Sequence, residues 1–233
     1  MKVAVMQPYF LPYIGYWQLV NAVHKFIVYD NIQFTKSSWI RRNRILVNGQ
    51  AKMIALPVKK DSDYLDVRER YLAETFPKIK KKILNQIRMS YQKAPEFNHV
   101  IPVITECLNY ENKNLFDFIY HSIIKVLSYL GIDTEIIISS SLDIDHTLRK
   151  QYRIIKICKT LEGTMYINPI GGLDLYDKEE FQKKGIELRF IKTEFFNYNQ
   201  FDYSFIPNLS IIDVMMFNSK DRLKKILECY TLL

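Results

Sequence analysis

The sequence predicts an α/β fold: a mostly parallel sheet flanked by helices, with an inserted β-hairpin and a helical segment. Three observations carry that reading. Short apolar runs of strand length alternate with stretches of helical period in both halves of the chain. The pair Asn48-Gly49 stands between two strand-like runs, and Asn-Gly best tolerates the positive φ angles of a type I′ turn. Helical periodicity then continues through three successive segments, 77–91, 95–108 and 115–130.

Taken in order, residues 3–6 form a continuous apolar run, Pro8 and Pro12 punctuate a loop, and Ile14, Trp17, Val20 and Val23 recur near helical spacing. Residues 25–29 return as a strand, so the first thirty residues make a βαβ unit with an expected right-handed crossover. The hairpin pairs 44–47 with 52–58. Lys78, Lys80, Lys81 and Lys82 surround Ile79, Ile83 and Ile87, which suits the wet face of an amphipathic helix. Asn114 fits the N-cap of the third helical segment and Gly131 its C′ position.

The second half alternates strand 135–138, helix 148–161 stopped at Gly163, strand 165–168, helix 176–184 stopped at Gly185, and strand 186–191. Residues 211–217 and 221–230 read as two closing helices. No linker or repeat interrupts the pattern. One unit over 1–233 is expected, with a helical sub-lobe over 75–131.

A chain of 233 residues with 48% hydrophobic and 25% charged content can bury a core unaided by disulfides or metals. Cys107, Cys158 and Cys229 have no CxxC spacing and are expected as reduced thiols inside helices. His24, His99, His121 and His146 show no metal-ligand spacing, so no metal is expected. The opening run is too short for a signal-peptide core, and no apolar stretch approaches the ~20 residues of a membrane helix, which points to the cytoplasm. The net charge of +8 favours anionic partners without choosing among them.

In a parallel sheet, ligands bind beyond the carboxyl ends of the strands. That rule selects the loop 7–15, where Gln7 follows a buried strand, Gly15 permits close backbone approach, and helix N–H groups favour an anion. A proline-stiffened aromatic turn is the structural alternative. It selects the segment 30–44, dense in donors suited to phosphate, among them Gln33, Lys36, Arg41, Asn43 and Arg44, though an exposed basic hairpin edge would look the same. It also selects Asn168, Gly171 and Gly172, which end a strand. Neither GxxxxGK[ST] nor GxGxxG occurs. Asp30 and Asp213 both adjoin apolar residues, a setting in which a carboxylate can serve as a general base.

The stretches VAVMQPYFLPYIGYWQL, FIVYDNIQFTKSSWIRRNRIL, ALPVKK, YINPIGGLDLYDKEEF and FIPNLSIIDVMMFN, which span nearly the whole chain, resemble the WbqC-like family of bacterial surface-polysaccharide (O-antigen) proteins. The resemblance implies an enzyme that tailors a nucleotide-linked amino sugar by transferring an acyl or aminoacyl group, glycyl being one suggestion, onto its amine. Such a reaction draws on an activated donor: ATP through an acyl-adenylate, a thioester, or aminoacyl-tRNA. With a thioester, the basic surface would dock an acidic acyl carrier protein. A second resemblance, in layout only, is to pantothenate synthetases, which have a Rossmann-like (HUP-like) sheet; Tyr13 and Tyr16 stand where those enzymes carry two histidines.

On these grounds Gln7, Asp30 and Tyr16 are the expected catalytic positions. Tyr9, Pro12, Tyr13, Gly15, Gln33, Lys36, Arg41, Asn43, Arg44, Asn168, Gly171, Gly172, Asn208, Ser210 and Asp213 are the expected substrate-binding ones. The other readings are a scaffold for polysaccharide assembly, which would show an exposed apolar patch, and a glycosyltransferase, for which Asp61-Ser62-Asp63 matches a DxD motif in letters only. Nucleic-acid binding ranks last, since no RRM, KH or helix-turn-helix signature is visible.

Overall fold

The computed structural model describes residues 1–233. A six-stranded sheet forms its centre, built from β1 (Lys2–Met6), β2 (Lys25–Val28), β5 (Glu135–Ile138), β6 (Met165–Pro169), β7 (Glu187–Thr193) and β8 (Tyr230–Leu232) in the spatial order β5-β2-β1-β6-β7-β8. All pairings are parallel except that of β7 with β8. The five parallel strands therefore follow the doubly wound order 3-2-1-4-5. The direction of succession reverses between β1 and β6. This is the topological switch point, where loops part and leave a crevice.

Side-chain alternation assigns the two faces. Val3 and Val5 of β1, Ile27 of β2, and Leu188 and Phe190 of β7 pack with Ile154, Ile157, Cys158 and Phe181 from α5 (Lys150–Thr160) and α6 (Lys178–Lys183). Ala4, Phe26, Val28 and Ile191 point the other way, into a cluster shared with α1 (Ile14–Asn21), the helices α2 (Phe76–Tyr91), α3 (Phe97–Asn109) and α4 (Leu115–Leu130), and α7 (Ile211–Phe217) and α8 (Lys220–Leu227). Strands buried on both faces read as continuous apolar runs, which is why 3–6 is visible as a strand, whereas β5, at the sheet edge, keeps an exposed Glu135 and three half-buried isoleucines.

The hairpin joins β3 (Arg42–Val47) to β4 (Gln50–Ala55) in a separate two-stranded sheet. Asn48 and Gly49 have φ of 49° and 72°, the two left-handed residues a type I′ turn requires. In α4, the Asn114 side chain accepts from the Asp117 N–H and Gly131 ends the helix at φ 68°.

Two expectations need correction at the C-terminus. The last helix stops at Leu227, and residues 230–232 form β8 on the edge of the sheet, so the helical period does not run to Tyr230. Three residues cannot announce a strand by pattern, and backbone pairing with β7 supplies what local preference lacks. Cys229 accordingly lies outside a helix. All three cysteines are free, and burial pushes the Cys107 and Cys158 thiols up to about 12.

Candidate active site

β1 delivers Gln7, half-buried, to the carboxyl edge of the sheet, and the loop beyond it is fixed before α1 begins. Leu11 adopts a left-handed backbone, φ 45°, which costs a non-glycine residue roughly 1–2 kcal/mol. Its surroundings hold it there. The Phe10 N–H donates to the Ile40 carbonyl at 3.1 Å, and Asn43 Nδ2 donates to the carbonyls of Phe10 and Leu11 at 3.1 and 2.7 Å. Ser210 Oγ donates to the Leu11 carbonyl at 2.7 Å, while Trp17 Nε1 and the Ile211 N–H reach the Pro12 carbonyl at 3.0 and 2.9 Å.

Tyr13 occupies the N-cap of α1 with extended backbone and no side-chain capping bond; the Tyr16 N–H is bonded to the Tyr13 carbonyl at 3.1 Å, which leaves the N–H groups of Ile14 and Gly15 without a side-chain cap. Gly15 stands against the Tyr13 ring, where a Cβ would come within 2.5 Å of it. The glycine thus sets where that ring lies.

Over this loop, at the switch point, opens a cavity of about 490 Å³. Its walls are Tyr9, Pro12, Tyr13 and Gly15; Trp39, Asn43 and Arg44; the turn Pro169, Ile170 and Gly171; Ile191, Lys192 and Thr193; and Asn208. Eight expected substrate-binding residues meet here: Tyr9, Pro12, Tyr13, Gly15, Asn43, Arg44, Gly171 and Asn208. Trp39 and Lys192 join them without having been singled out. The walls carry two cations and no carboxylate. Arg44 donates to the Asn208 carbonyl at 3.2 Å, sits 5.7 Å from the Trp39 ring, and leaves its Nε unpartnered. Neither Arg44 nor Lys192 joins an ion pair. Burial raises the pKa of Tyr9 and of Tyr13, which remain neutral hydroxyl donors at neutral pH. A larger, shallower groove of about 1070 Å³ lies on the helical layer and shares no wall residue with this cavity.

Other expected residues fall around the cavity without lining it. Tyr16 is buried against Tyr9, Trp17 and Phe26, its hydroxyl has no partner, and burial holds its pKa well above the ordinary tyrosine value. Asn168 accepts from the Tyr166 hydroxyl and donates to the Pro169 carbonyl, and a Cβ on Gly172 would overlap its amide; the pair shapes the turn beneath Gly171. Ser210 spends its hydroxyl on the Leu11 carbonyl and caps α7. Asp213 is fully buried and accepts from the Tyr198 hydroxyl at 2.6 Å, the Tyr91 hydroxyl at 2.8 Å and Gln200 Nε2 at 2.7 Å. Its carboxylate serves this internal network, so it is an anchor of the fold and not a base facing the cavity.

The basic segment also divides. Arg41 donates to the carbonyls of Lys36 and Leu56, and burial together with neighbouring Arg42 lowers its pKa. Gln33 is exposed and donates to the Asp63 carbonyl, and Lys36 is exposed in the same loop. Of this segment, Arg44, Asn43 and Trp39 reach the cavity.

Asp30 lies on the other side of β1, at the end of β2, in a second polar cluster. It is 2% exposed, and its Oδ1 accepts from the Ser140 N–H at 2.9 Å. Beside it, His146 Nδ1 accepts from Asn31 Nδ2 and Arg153 Nη2, both at 3.1 Å, and its Nε2 donates to the Leu142 carbonyl. Arg153 is 3% exposed, stacks 4.6 Å from the Tyr29 ring and joins no ion pair. Asn31 Oδ1, Ser139 Oγ and Arg153 Nε have no partner. Sequence spacing gave no sign of this group, because Asn31 and His146 are 115 residues apart.

Fold and site define a doubly wound α/β protein with a basic, carboxylate-free pocket where the strand order reverses. Comparison with known sequences adds the family. The chain belongs to the WbqC-like protein family, whose profile matches residues 7–225. It is 27% identical over 220 residues, 93% of each chain, to the uncharacterized protein Rv1507c of Mycobacterium tuberculosis (strain ATCC 25618 / H37Rv). No solved structure matches it. No helix is long and apolar enough to cross a membrane.

Proposed function

We propose that the protein is an N-acyl or aminoacyl transferase that forms an amide on the amino group of a nucleotide-linked sugar in bacterial surface polysaccharide synthesis. The observation that carries this is the pocket at the switch point: Arg44 and Lys192 without a carboxylate, an uncapped helix N-terminus, and the rings of Tyr9, Tyr13 and Trp39. Cations and free N–H groups suit a diphosphate, and flat aromatic faces suit a base or sugar ring.

With the diphosphate held there, the sugar extends across Gln7 toward Asp30 on the neighbouring strand. The amine nitrogen attacks the acyl carbonyl carbon, the C–N bond forms, and the bond to the leaving group breaks. That group departs with its electron pair, as a thiolate from a thioester or as AMP from an acyl-adenylate. The proton shed by nitrogen passes to Asp30, whose second carboxylate oxygen is not used by Ser140.

The test is calorimetric titration of the protein with uridine and thymidine diphosphates, then mass-spectrometric detection of the amide from the matching 4-amino sugar and an activated acyl donor. Binding lost in Arg44→Ala, with product formed by wild type, is the expected result. Binding of neither diphosphate would sink the nucleotide-sugar reading. A scaffold reading draws on the exposed side chains Trp39, Leu175 and Phe195, at 40%, 67% and 83%; it expects a partner protein to protect them and no turnover.

A further inference from the structure

A second cavity adjoins the first and differs from it in chemistry. It measures about 380 Å³ and is walled chiefly by Ile14, Phe196, Tyr198, Phe205, Leu209 and Val214, with Phe195 at its rim and one carboxylate, Glu194, in the wall. Lys192, Thr193 and Asn208 belong to the walls of both cavities, so the two chambers share a partition. The partition is held from behind. Thr193 donates to Gln18 Oε1 at 2.7 Å, and Asn208 has a left-handed backbone, φ 57°, with its carbonyl taken by Arg44. Tyr198 is likewise immobilised by its bond to Asp213. The polar end of its ring is satisfied there, and an apolar face remains for the chamber.

The geometry points to this chamber as the seat of an aliphatic acyl group, delivered as a thioester, with the thioester carbonyl at the Lys192 and Asn208 partition. This rests on the transferase reading and sharpens it: a lining made mostly of aromatic and aliphatic side chains suits a hydrocarbon chain, and the Glu194 carboxylate in the wall already accepts from the Thr231 hydroxyl at 2.7 Å. The reaction stays balanced: the amine nitrogen displaces the thiolate, which leaves with the electron pair of the C–S bond and takes up the proton that nitrogen gives up. Lys192, which joins no ion pair, stands where the carbonyl oxygen gains charge.

The experiment is calorimetric titration of the full chain with alkanoyl-pantetheine thioesters from acetyl to decanoyl, uncharged probes that do not draw on the phosphate pocket. Affinity should rise about fourfold per added methylene until the chamber fills, then level off. Phe196→Asp, which places a carboxylate in the apolar wall, should flatten that rise. Phe195→Ser, at an exposed rim position that folding does not require, should weaken the longer chains severalfold. No dependence on chain length in wild type, or the same dependence in the variants that fold, overturns the assignment. Uridine diphosphate is titrated in parallel. Its binding alongside a flat acyl series would refute the acyl chamber alone; a steep acyl series without nucleotide binding would refute the nucleotide reading and leave the chamber.

Discussion

The switch-point pocket and the Asp30 cluster lie on the same edge of the sheet, on either side of β1, and they are built in opposite ways. Around the pocket, backbone carbonyls of the loop are satisfied by Asn43, Ser210 and Trp17, and the charged groups of Arg44 and Lys192 face empty volume. Around Asp30 the charged groups are buried, and Asn31 Oδ1, Ser139 Oγ and Arg153 Nε go without partners. An unsatisfied buried polar atom costs about 1–3 kcal/mol. Arg44 Nε is unpartnered too, so both regions hold unmet hydrogen bonding, and they differ in the open space beside Arg44 and the burial of the charges around Asp30. Binding needs space and cations that stay free; proton transfer needs a desolvated group with few competing partners. The contrast supports a division of labour in which the pocket holds the substrate and the cluster acts on it.

The largest expected effect tests the second half of that division. Asp30→Asn retains an oxygen for the Ser140 N–H, so folding should survive, while loss of a general base should lower kcat by about 100- to 10,000-fold. Steady-state rates with a thermal melt alongside decide it; an active variant would reduce the cluster to a structural role. Next in size is Arg44→Ala, expected to weaken diphosphate binding by roughly 1.5–3 kcal/mol, the range for hydrogen bonds to charged groups. Arg41→Ala should leave that affinity unchanged and lower stability instead, because its guanidinium serves the carbonyls of Lys36 and Leu56. Equal losses of affinity in both would show that basic charge, and not the cavity, does the binding.

Two adjacent glycines sharpen the same point at the pocket floor. A Cβ on Gly172 would overlap the Asn168 amide, whereas one on Gly171 would meet nothing within 4 Å. Gly172→Ala should cost about 1–3 kcal/mol by overpacking, and Gly171→Ala little. Denaturant melts of both variants check this, and equal stabilities would remove Asn168 as a support of the turn.

What could be read in the sequence was whatever is local. The run 3–6, the Asn48-Gly49 turn and the caps Asn114 and Gly131 are each set within a few residues, and all are observed. Eight of the cavity residues were legible because the strand-end rule selects whole loops. The rule cannot tell which way each side chain in a loop turns, so Arg41 and Arg44, three residues apart, could not be separated. The Asp30 cluster and the Asp213 network were hidden for a different reason. Tyr91 is 122 residues from Asp213, and Arg153 looks like one more basic residue on an amphipathic helix until tertiary packing buries it. The apolar chamber, formed largely by the irregular segment between β7 and α7, has no period to reveal it.

The Asp213 network permits one further test of the comparison, because it too buries a carboxylate but gives it three donors where Asp30 has one protein donor. Burial raises the Asp213 pKa, and the bonds from Tyr198, Tyr91 and Gln200 only partly offset it. A carboxyl whose pKa is higher in the folded state than in the unfolded chain binds its proton more readily when folded. Its contribution to stability is therefore complete below the unfolded value near 4 and is lost as pH rises through the folded value. Each unit of difference corresponds to about 1.4 kcal/mol. Asp213→Asn cannot titrate, and its single acceptor oxygen for three donors adds an offset that does not vary with pH. The stability of wild type relative to this variant should thus decline as pH rises above about 4 in urea melts. A difference that grows with pH would mean that the three donors outweigh burial, and that Asp213 is held as a stable anion as firmly as any surface carboxylate.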